Sequence, residues 1–182
     1  MVALLRESEP SCRLTVVKND EVDLSLSDDY DGILFSPGPG VPSEAGLMPE
    51  IIRRCADTHS ILGICLGHQA IAECFGARLE QLQAPLHGVQ DRLHIVKPED
   101  DLLRGLSSDE SIGHYHSWTV AREGFPDCLE ITSMDGMGRI MSLRHKTKRL
   151  YGLQFHPESY MTSCGEKIIR NWLRTIHEST RK

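Results

Sequence analysis

"SILGICLGHQAIAECFG", residues 60–76, is a near-continuous apolar run that passes through Cys65 into a pattern with helical spacing. Ser60 to Cys65 read as a strand buried on both faces, the habit of a parallel sheet. His68 to Phe75 read as a helix, with Gly76 as its C-cap. Cys65 stands at the junction, with Gly63 two residues before it and Gly67 two after. A strand that runs straight into a helix through such a turn belongs to a crossover unit, so an α/β fold is expected.

The flanking sequence extends the pattern. "RLTVV" (13–17) and "GILFS" (32–36) read as further strands, and Leu47, Met48, Ile51, Ile52 and Cys55 recur at helical spacing after Ser43, a candidate N-cap. From about residue 86 to 155 the texture changes. "LHIV" (93–96), "LEITS" (129–133), "RIMSL" (139–143) and "LYGLQF" (150–155) are strand candidates joined by short polar turns such as "DGMG", which suits antiparallel or mixed pairing. Ile168, Ile169, Trp172, Leu173 and Ile176 form the apolar stripe of a closing helix. At the other end, Val2, Leu4 and Leu5 look like the last turns of a helix. With 182 residues and no repeat or linker, a single domain over 1–182 is expected.

Composition narrows the function. A net charge of −6 gives no footprint for nucleic acid, and the basic cluster "RHKTKR" (144–149) reads as a solvated hairpin tip. No apolar run approaches the roughly 20 residues of a membrane span, and "MVALLRESEP" turns polar too early for a signal peptide, so a cytoplasmic protein is expected. The six cysteines form no Cys-x-x-Cys pair, and His114 and His116 lack thiol or carboxylate neighbours at ligand spacing. Neither a disulfide framework nor a metal site is expected.

Gly63-Ile64-Cys65-Leu66-Gly67 has the form of a nucleophile elbow. The turning residue needs a strained backbone, and the glycines let strand and helix approach without Cβ clashes. A thiol held there lies at a helix N-terminus, whose dipole favours thiolate. A thiol nucleophile needs a base, and the base an orienting partner. "GLQFHPES" (152–159) offers both: a strand ends near Phe155, and Pro157 stiffens the turn carrying His156 and Glu158. "SPGPGVP" (36–42) ends another strand at the same sheet edge. Backbone N–H groups beside Gly38 and Gly40, with that of Leu66, could form an oxyanion hole.

Taken together, "FSPGPGVPSEAG", "ILGICLGHQAIAECFGA", "LHGV", "HYHSW" and "YGLQFHPES" resemble the class I, triad-type glutamine amidotransferases. Within these they are most similar to the glutaminase components of anthranilate synthase and aminodeoxychorismate synthase. The resemblance runs from about residue 13 to the end. It implies a flavodoxin-like α/β fold, with a mostly parallel central sheet flanked by helices and a smaller antiparallel or mixed part. It makes Cys65 the nucleophile toward the glutamine side-chain amide, His156 the general base and acid, and Glu158 its orienting carboxylate. The N–H groups of Gly38 and Leu66 become the oxyanion hole. Gly38, Pro39, Gly40, Gln69, Ser117 and Trp118 become the glutamine pocket, and His87 and Gly88 a weaker candidate for a partner interface. His68, His114 and His116 are left supporting roles, and the remaining cysteines are read as core.

What the resemblance implies for function is a subunit that hydrolyses L-glutamine without a cofactor and passes ammonia to a chorismate-binding synthase subunit, as in anthranilate formation for tryptophan. Alternatives are the same role in aminodeoxychorismate synthesis for folate, a free-standing γ-glutamyl hydrolase, and a truncated, non-catalytic partner-binding module. The sequence departs from the family pattern twice. Family members open with a strand and "Asp-Asn-Tyr-Asp-Ser-Phe-Thr", for which nothing precedes Val2, so a missing first strand and an N-terminally truncated domain are expected. Val89 in "LHGV" stands where many relatives carry lysine.

Overall fold

β2 (Ser60–Ile64) is buried at every position and runs parallel to strands on both of its sides, β1 (Gly32–Phe35) and β8 (Leu150–Leu153). A computed structural model describes residues 1–107 and 109–179. In chain order its remaining elements are α1 (Val2–Ser8), α2 (Met48–Cys55), α3 (Leu66–Cys74), β3 (Leu79–Arg92), β4 (His94–Ile95), β5 (Ser111–Val120), β6 (Leu129–Met134), β7 (Ile140–His145) and α4 (Gly165–Ser179). Short 3-10 turns occupy Leu24–Asp29 and Pro42–Glu44.

One sheet has the order β1-β2-β8-β7-β6-β4. Its β1-β2-β8 block is parallel, and β7, β6 and β4 continue it antiparallel. A separate ribbon pairs β3 with β5. Helices cover both faces of the main sheet. Leu62, Ile64, Met141 and Leu153 pack with Ile168, Ile169 and Trp172 of α4 and Leu5 of α1. Ile61, Ile140, Leu143 and Leu150 pack with Ile51 and Ile52 of α2 and Ala70 and Ile71 of α3. Burying one such aliphatic side chain contributes about 1.5–3 kcal/mol, so apolar contact is the main hold on the helices of each face. This is the α/β architecture expected.

Glycines set how closely α3 approaches. Gly63 and Gly152 lie side by side in register on the α3 face. A Cβ on Gly63 would overlap the Gly67 carbonyl and come within 2.7 Å of the His68 nitrogen, and one on Gly152 would lie 2.6 Å from His68 Nδ1. Gly67 is confined in turn, since its Cβ would sit 2.7 Å from the Phe35 Cβ. The first turn of α3 therefore rests on bare backbone.

Several expectations are corrected. "RLTVV" (13–17) joins no strand ladder among the described residues, and Val16 and Val17 are 68% and 38% exposed. The segment is held by side-chain contacts instead, Arg13 donating to the Asp29 carbonyl and Thr15 meeting the Tyr30 hydroxyl, so its valines stay out of the sheet. Ser43 is not the cap of α2. It lies inside the Pro42–Glu44 turn, and the helix starts at Met48 with Pro49 in its first turn. The ribbon strands β3 and β5 were not anticipated. β3 is mostly exposed, carries Pro85 and shows no apolar alternation. "LHIV" shortens to His94–Ile95, and β8 stops at Leu153, before Gln154 and Phe155. The basic "RHKTKR" does lie at the β7–β8 hairpin.

Candidate active site

The strand-to-helix junction is as tight as the glycine spacing requires. Cys65 has φ 52° and ψ −99°, the one positive φ outside glycine among the described residues. An L-residue adopts such a conformation at a cost of about 1–3 kcal/mol, and only where the surroundings hold it there. Here the Cys65 nitrogen donates to the Leu153 carbonyl at 2.7 Å, and its carbonyl accepts from the Gln69 nitrogen at 3.1 Å. The thiol is 6% exposed and lies at the start of α3, where unpaired backbone N–H groups converge.

His156 arrives from the adjacent strand. β8 runs beside β2, and three residues past its end the His156 nitrogen donates to the Gly113 carbonyl at 3.2 Å. Pro157 turns the chain so that Glu158 Oε1 lies 2.9 Å from His156 Nδ1. The Tyr115 ring meets the imidazole edge-on, with centroids 5.0 Å apart. The other ring nitrogen, Nε2, is buried without a full hydrogen bond. Burial opposes a charged imidazole, but Cys65 and Glu158 outweigh it and push His156 up to about 9. Burial would likewise raise Glu158, yet the hydrogen bond from His156 holds that carboxyl below its ordinary value.

The 36–40 loop leaves β1 at the same edge. A Cβ on Gly38 would come within 2.9 Å of Leu66 Cδ2, so the loop lies against the first residue of α3, while Gly38, Pro39 and Gly40 stay exposed. Gly40 has φ +75°, which suits glycine. Gln69 is 3% exposed, and its Nε2 donates to the Trp118 carbonyl at 2.9 Å and to Gln154 Oε1 at 3.2 Å. Ser117 and Trp118 follow on β5, half-buried. Thiol, imidazole, carboxylate, glycine loop and the Gln69–Trp118 pair thus converge on one edge. A thiol facing a carboxylate-backed imidazole beside free backbone N–H groups can perform acyl transfer.

Other candidates lie elsewhere. His87, Gly88 and Val89 are exposed on β3, where Gly88 takes φ +70° at a break in the β3–β5 register. His68 is fully buried, and desolvation lowers it to about 3, so it is neutral. His114 and His116 are buried and joined by a 3.0 Å contact between Nδ1 and Nε2, and His116 Nδ1 donates to the Trp118 carbonyl at 2.9 Å. Carboxylates that the chain spacing did not reveal, Asp91 and Asp135, place donor atoms within 4.8 Å of His114 and of each other. Arg139 already pairs with Asp135 and reaches within 4.0 Å of Asp91, so the carboxylates have a resident cation. Cys12 is exposed, against the reading of the spare cysteines as core. Sequence reasoning also missed Gln154, fully buried with Nε2 at 3.7 Å from Cys65 Sγ. Its signal was a polar residue interrupting the apolar run "LYGLQF" just before Phe155.

Comparison with known proteins places this arrangement. The family described as glutamine amidotransferase class-I matches residues 2–176. The anthranilate synthase component 2 of Pseudomonas aeruginosa is 37% identical over 173 residues, covering 91% of this chain and 85% of the relative. A Bacillus subtilis protein named aminodeoxychorismate/anthranilate synthase component 2 is 38% identical over 170 residues, covering 91% and 85%. A crystal structure from Thermoplasma acidophilum, described as a subunit of GMP synthase, superposes with a TM-score of 0.87 at 27% identity, over 98% of this chain and 87% of that one.

Proposed function

This chain belongs to the class I glutamine amidotransferases, and from that premise we propose that it is the glutaminase subunit of an anthranilate synthase, acting in tryptophan biosynthesis. The observation that carries the reading is the strained Cys65 elbow set beside the His156–Glu158 pair. On this reading residues 1–182 form one amidotransferase domain, work in the cytoplasm and pair with a chorismate-utilising synthase subunit.

His156 Nε2 takes the Cys65 thiol proton, and the thiolate attacks the side-chain amide carbon of glutamine. The carbonyl oxygen becomes an oxyanion held by the N–H groups of Leu66 and Gly38. Collapse of the adduct breaks the C–N bond as His156 returns its proton to nitrogen, releasing ammonia and leaving a γ-glutamyl thioester. Water, deprotonated by His156, then cleaves the thioester to glutamate and restores the thiol. Glu158 keeps the imidazole oriented and offsets its charge in both halves. Gln69, Ser117 and Trp118 hold the amino-acid end of the substrate. Ammonia released into water at neutral pH would protonate and lose its nucleophilic lone pair, so a partner must receive it directly.

A mixture of this chain with an anthranilate synthase component I tests the reading. Glutamine-dependent anthranilate formation is expected, with Cys65→Ala abolishing it while ammonium-dependent formation persists. Retention of the glutamine reaction by Cys65→Ala refutes the mechanism. The double name of the Bacillus subtilis relative favours one second reading, service to an aminodeoxychorismate synthase, which the same assay with that partner separates.

A further inference from the structure

Gln154 has no exposed surface, and it sits between Leu153 and Phe155, both fully buried. A buried primary amide costs about 1–3 kcal/mol unless its hydrogen bonds are met, so its partners matter. Its backbone is anchored, the nitrogen donating to the Met141 carbonyl at 2.8 Å. Its side chain is oriented by a one-way series of donors. The Trp118 carbonyl can only accept, so Gln69 must present Nε2 to it, at 2.9 Å. The same Nε2 reaches Gln154 Oε1 at 3.2 Å, which turns the far end of that amide, Nε2, toward Cys65 Sγ at 3.7 Å. A flipped Gln154 would set oxygen against sulfur and leave the Gln69 donor facing another donor.

We propose that Gln154 is a positioning residue that holds an amide N–H against the Cys65 sulfur, favouring the thiolate and keeping it turned toward the incoming amide carbon. The sulfur of a neutral thiol is a weak acceptor, whereas a thiolate accepts a charge-assisted hydrogen bond, so the N–H acts chiefly on the charged form. It approaches from the residue just past the end of β8, and His156 approaches from the turn beyond. When the sulfur becomes a thioester its charge is gone and the amide loses most of its hold, so the interaction belongs to the free nucleophile. The proposal rests on the reading of Cys65 as nucleophile.

The test reads the thiolate without substrate or partner. The whole chain is alkylated with iodoacetamide across a pH series, and modification of the Cys65 peptide is followed by mass spectrometry, which separates it from exposed Cys12. Gln154→Met keeps the volume and removes the donor. Its half-maximal alkylation at Cys65 is expected about one pH unit above that of the wild type, the scale of one charge-assisted hydrogen bond. Gln154→Glu, which sets a carboxylate against the sulfur, is expected to move it further. With the synthase partner, Gln154→Met lowers kcat roughly 10-fold near neutral pH and leaves KM for glutamine nearly unchanged. The deficit shrinks as alkaline pH restores the thiolate, a recovery that a merely structural role would not give. Should Gln154→Met fail to fold by circular dichroism, Gln69→Met removes the donor that orients Gln154, together with its bond to the Trp118 carbonyl, and in this substrate-free assay a smaller shift in the same direction is expected. An alkylation profile superimposable on the wild type in whichever of these two variants folds overturns the proposal, as does a wild-type Cys65 inert at every pH. Failure of the nucleophile reading shows separately, as glutamine turnover by Cys65→Ala.

Discussion

His156 Nδ1 and Glu158 Oε1 lie 2.9 Å apart across a single proline, so a dipeptide spacing sets an imidazole and its carboxylate partner on one turn. Replacing Glu158 with glutamine keeps the shape and removes the charge. Since Cys65 and Glu158 together push His156 up to about 9, Glu158→Gln is expected to lower the His156 midpoint in an NMR titration. Glutamine turnover should fall by roughly 10²-fold or more, the scale of general acid–base assistance, while ammonia-dependent synthesis by the complex stays intact. An unchanged midpoint would separate the two residues functionally.

The same pair links pH to stability. The His156 midpoint is raised in the folded state above its ordinary value of 6.5, so the folded protein binds the proton more tightly than the unfolded chain does. The resulting stabilisation is fully present below about 6.5 and is lost as pH rises through about 9. Urea unfolding at pH 6.5 and pH 9.5 is expected to differ by about 2 kcal/mol, with His156→Asn removing most of the difference. Equal slopes for the wild type and His156→Asn across that interval would exclude the linkage.

Backbone strain at Cys65 has a measurable signature. At φ 52° the Cβ is unfavourable, and glycine is not penalised. Comparing Cys65→Gly with Cys65→Ala holds the lost sulfur contacts constant. Cys65→Gly is expected to be more stable by about 1 kcal/mol, even though flexible glycine loses more entropy on folding. Both variants are expected to lack glutaminase activity. If alanine proved the more stable of the two, the elbow would be relaxed in solution.

Why the site was legible in the sequence follows from its construction. The elbow is local, with Gly63, Cys65 and Gly67 within five consecutive positions, and each glycine is required by an atom close to its missing Cβ. The His156–Glu158 pair is local as well. What escaped was long-range or dependent on a neighbour. Gln154 meets Cys65 across 89 residues, and Asp91, His114 and Asp135 are collected from three separate segments. Val16 and Val17 have strand propensity but join no ladder among the described residues, and tertiary context overrides propensity. The β3–β5 ribbon was hidden for the opposite reason. β3 is held by backbone pairing over a mostly exposed surface, so its sequence carries no hydrophobic period to read.

Asp135 makes the antiparallel half of the sheet testable independently of the chemistry. It is 2% exposed, and its Oδ1 accepts from the backbone nitrogens of Met137 and Arg139 at 3.0 and 2.9 Å, closing the "DGMG" turn between β6 and β7. Its Oδ2 takes the Arg139 guanidinium, whose side chain is 21% exposed. Asp135→Ala would leave two turn N–H groups without their acceptor and the Arg139 guanidinium with only the more distant Asp91, and removing one partner of a buried pair costs up to about 3–5 kcal/mol. Asp135→Asn keeps the Asx-type acceptor for the turn and loses only the charge, so it should recover part of that loss. Thermal unfolding of the two variants measures the difference. Equal losses would assign the whole effect to the ion pair and none to the turn. Because His114 sits beside this pair and reaches the Trp118 carbonyl through His116, Asp135→Ala should also weaken glutamine binding, whereas Asp135→Asn should spare most of it.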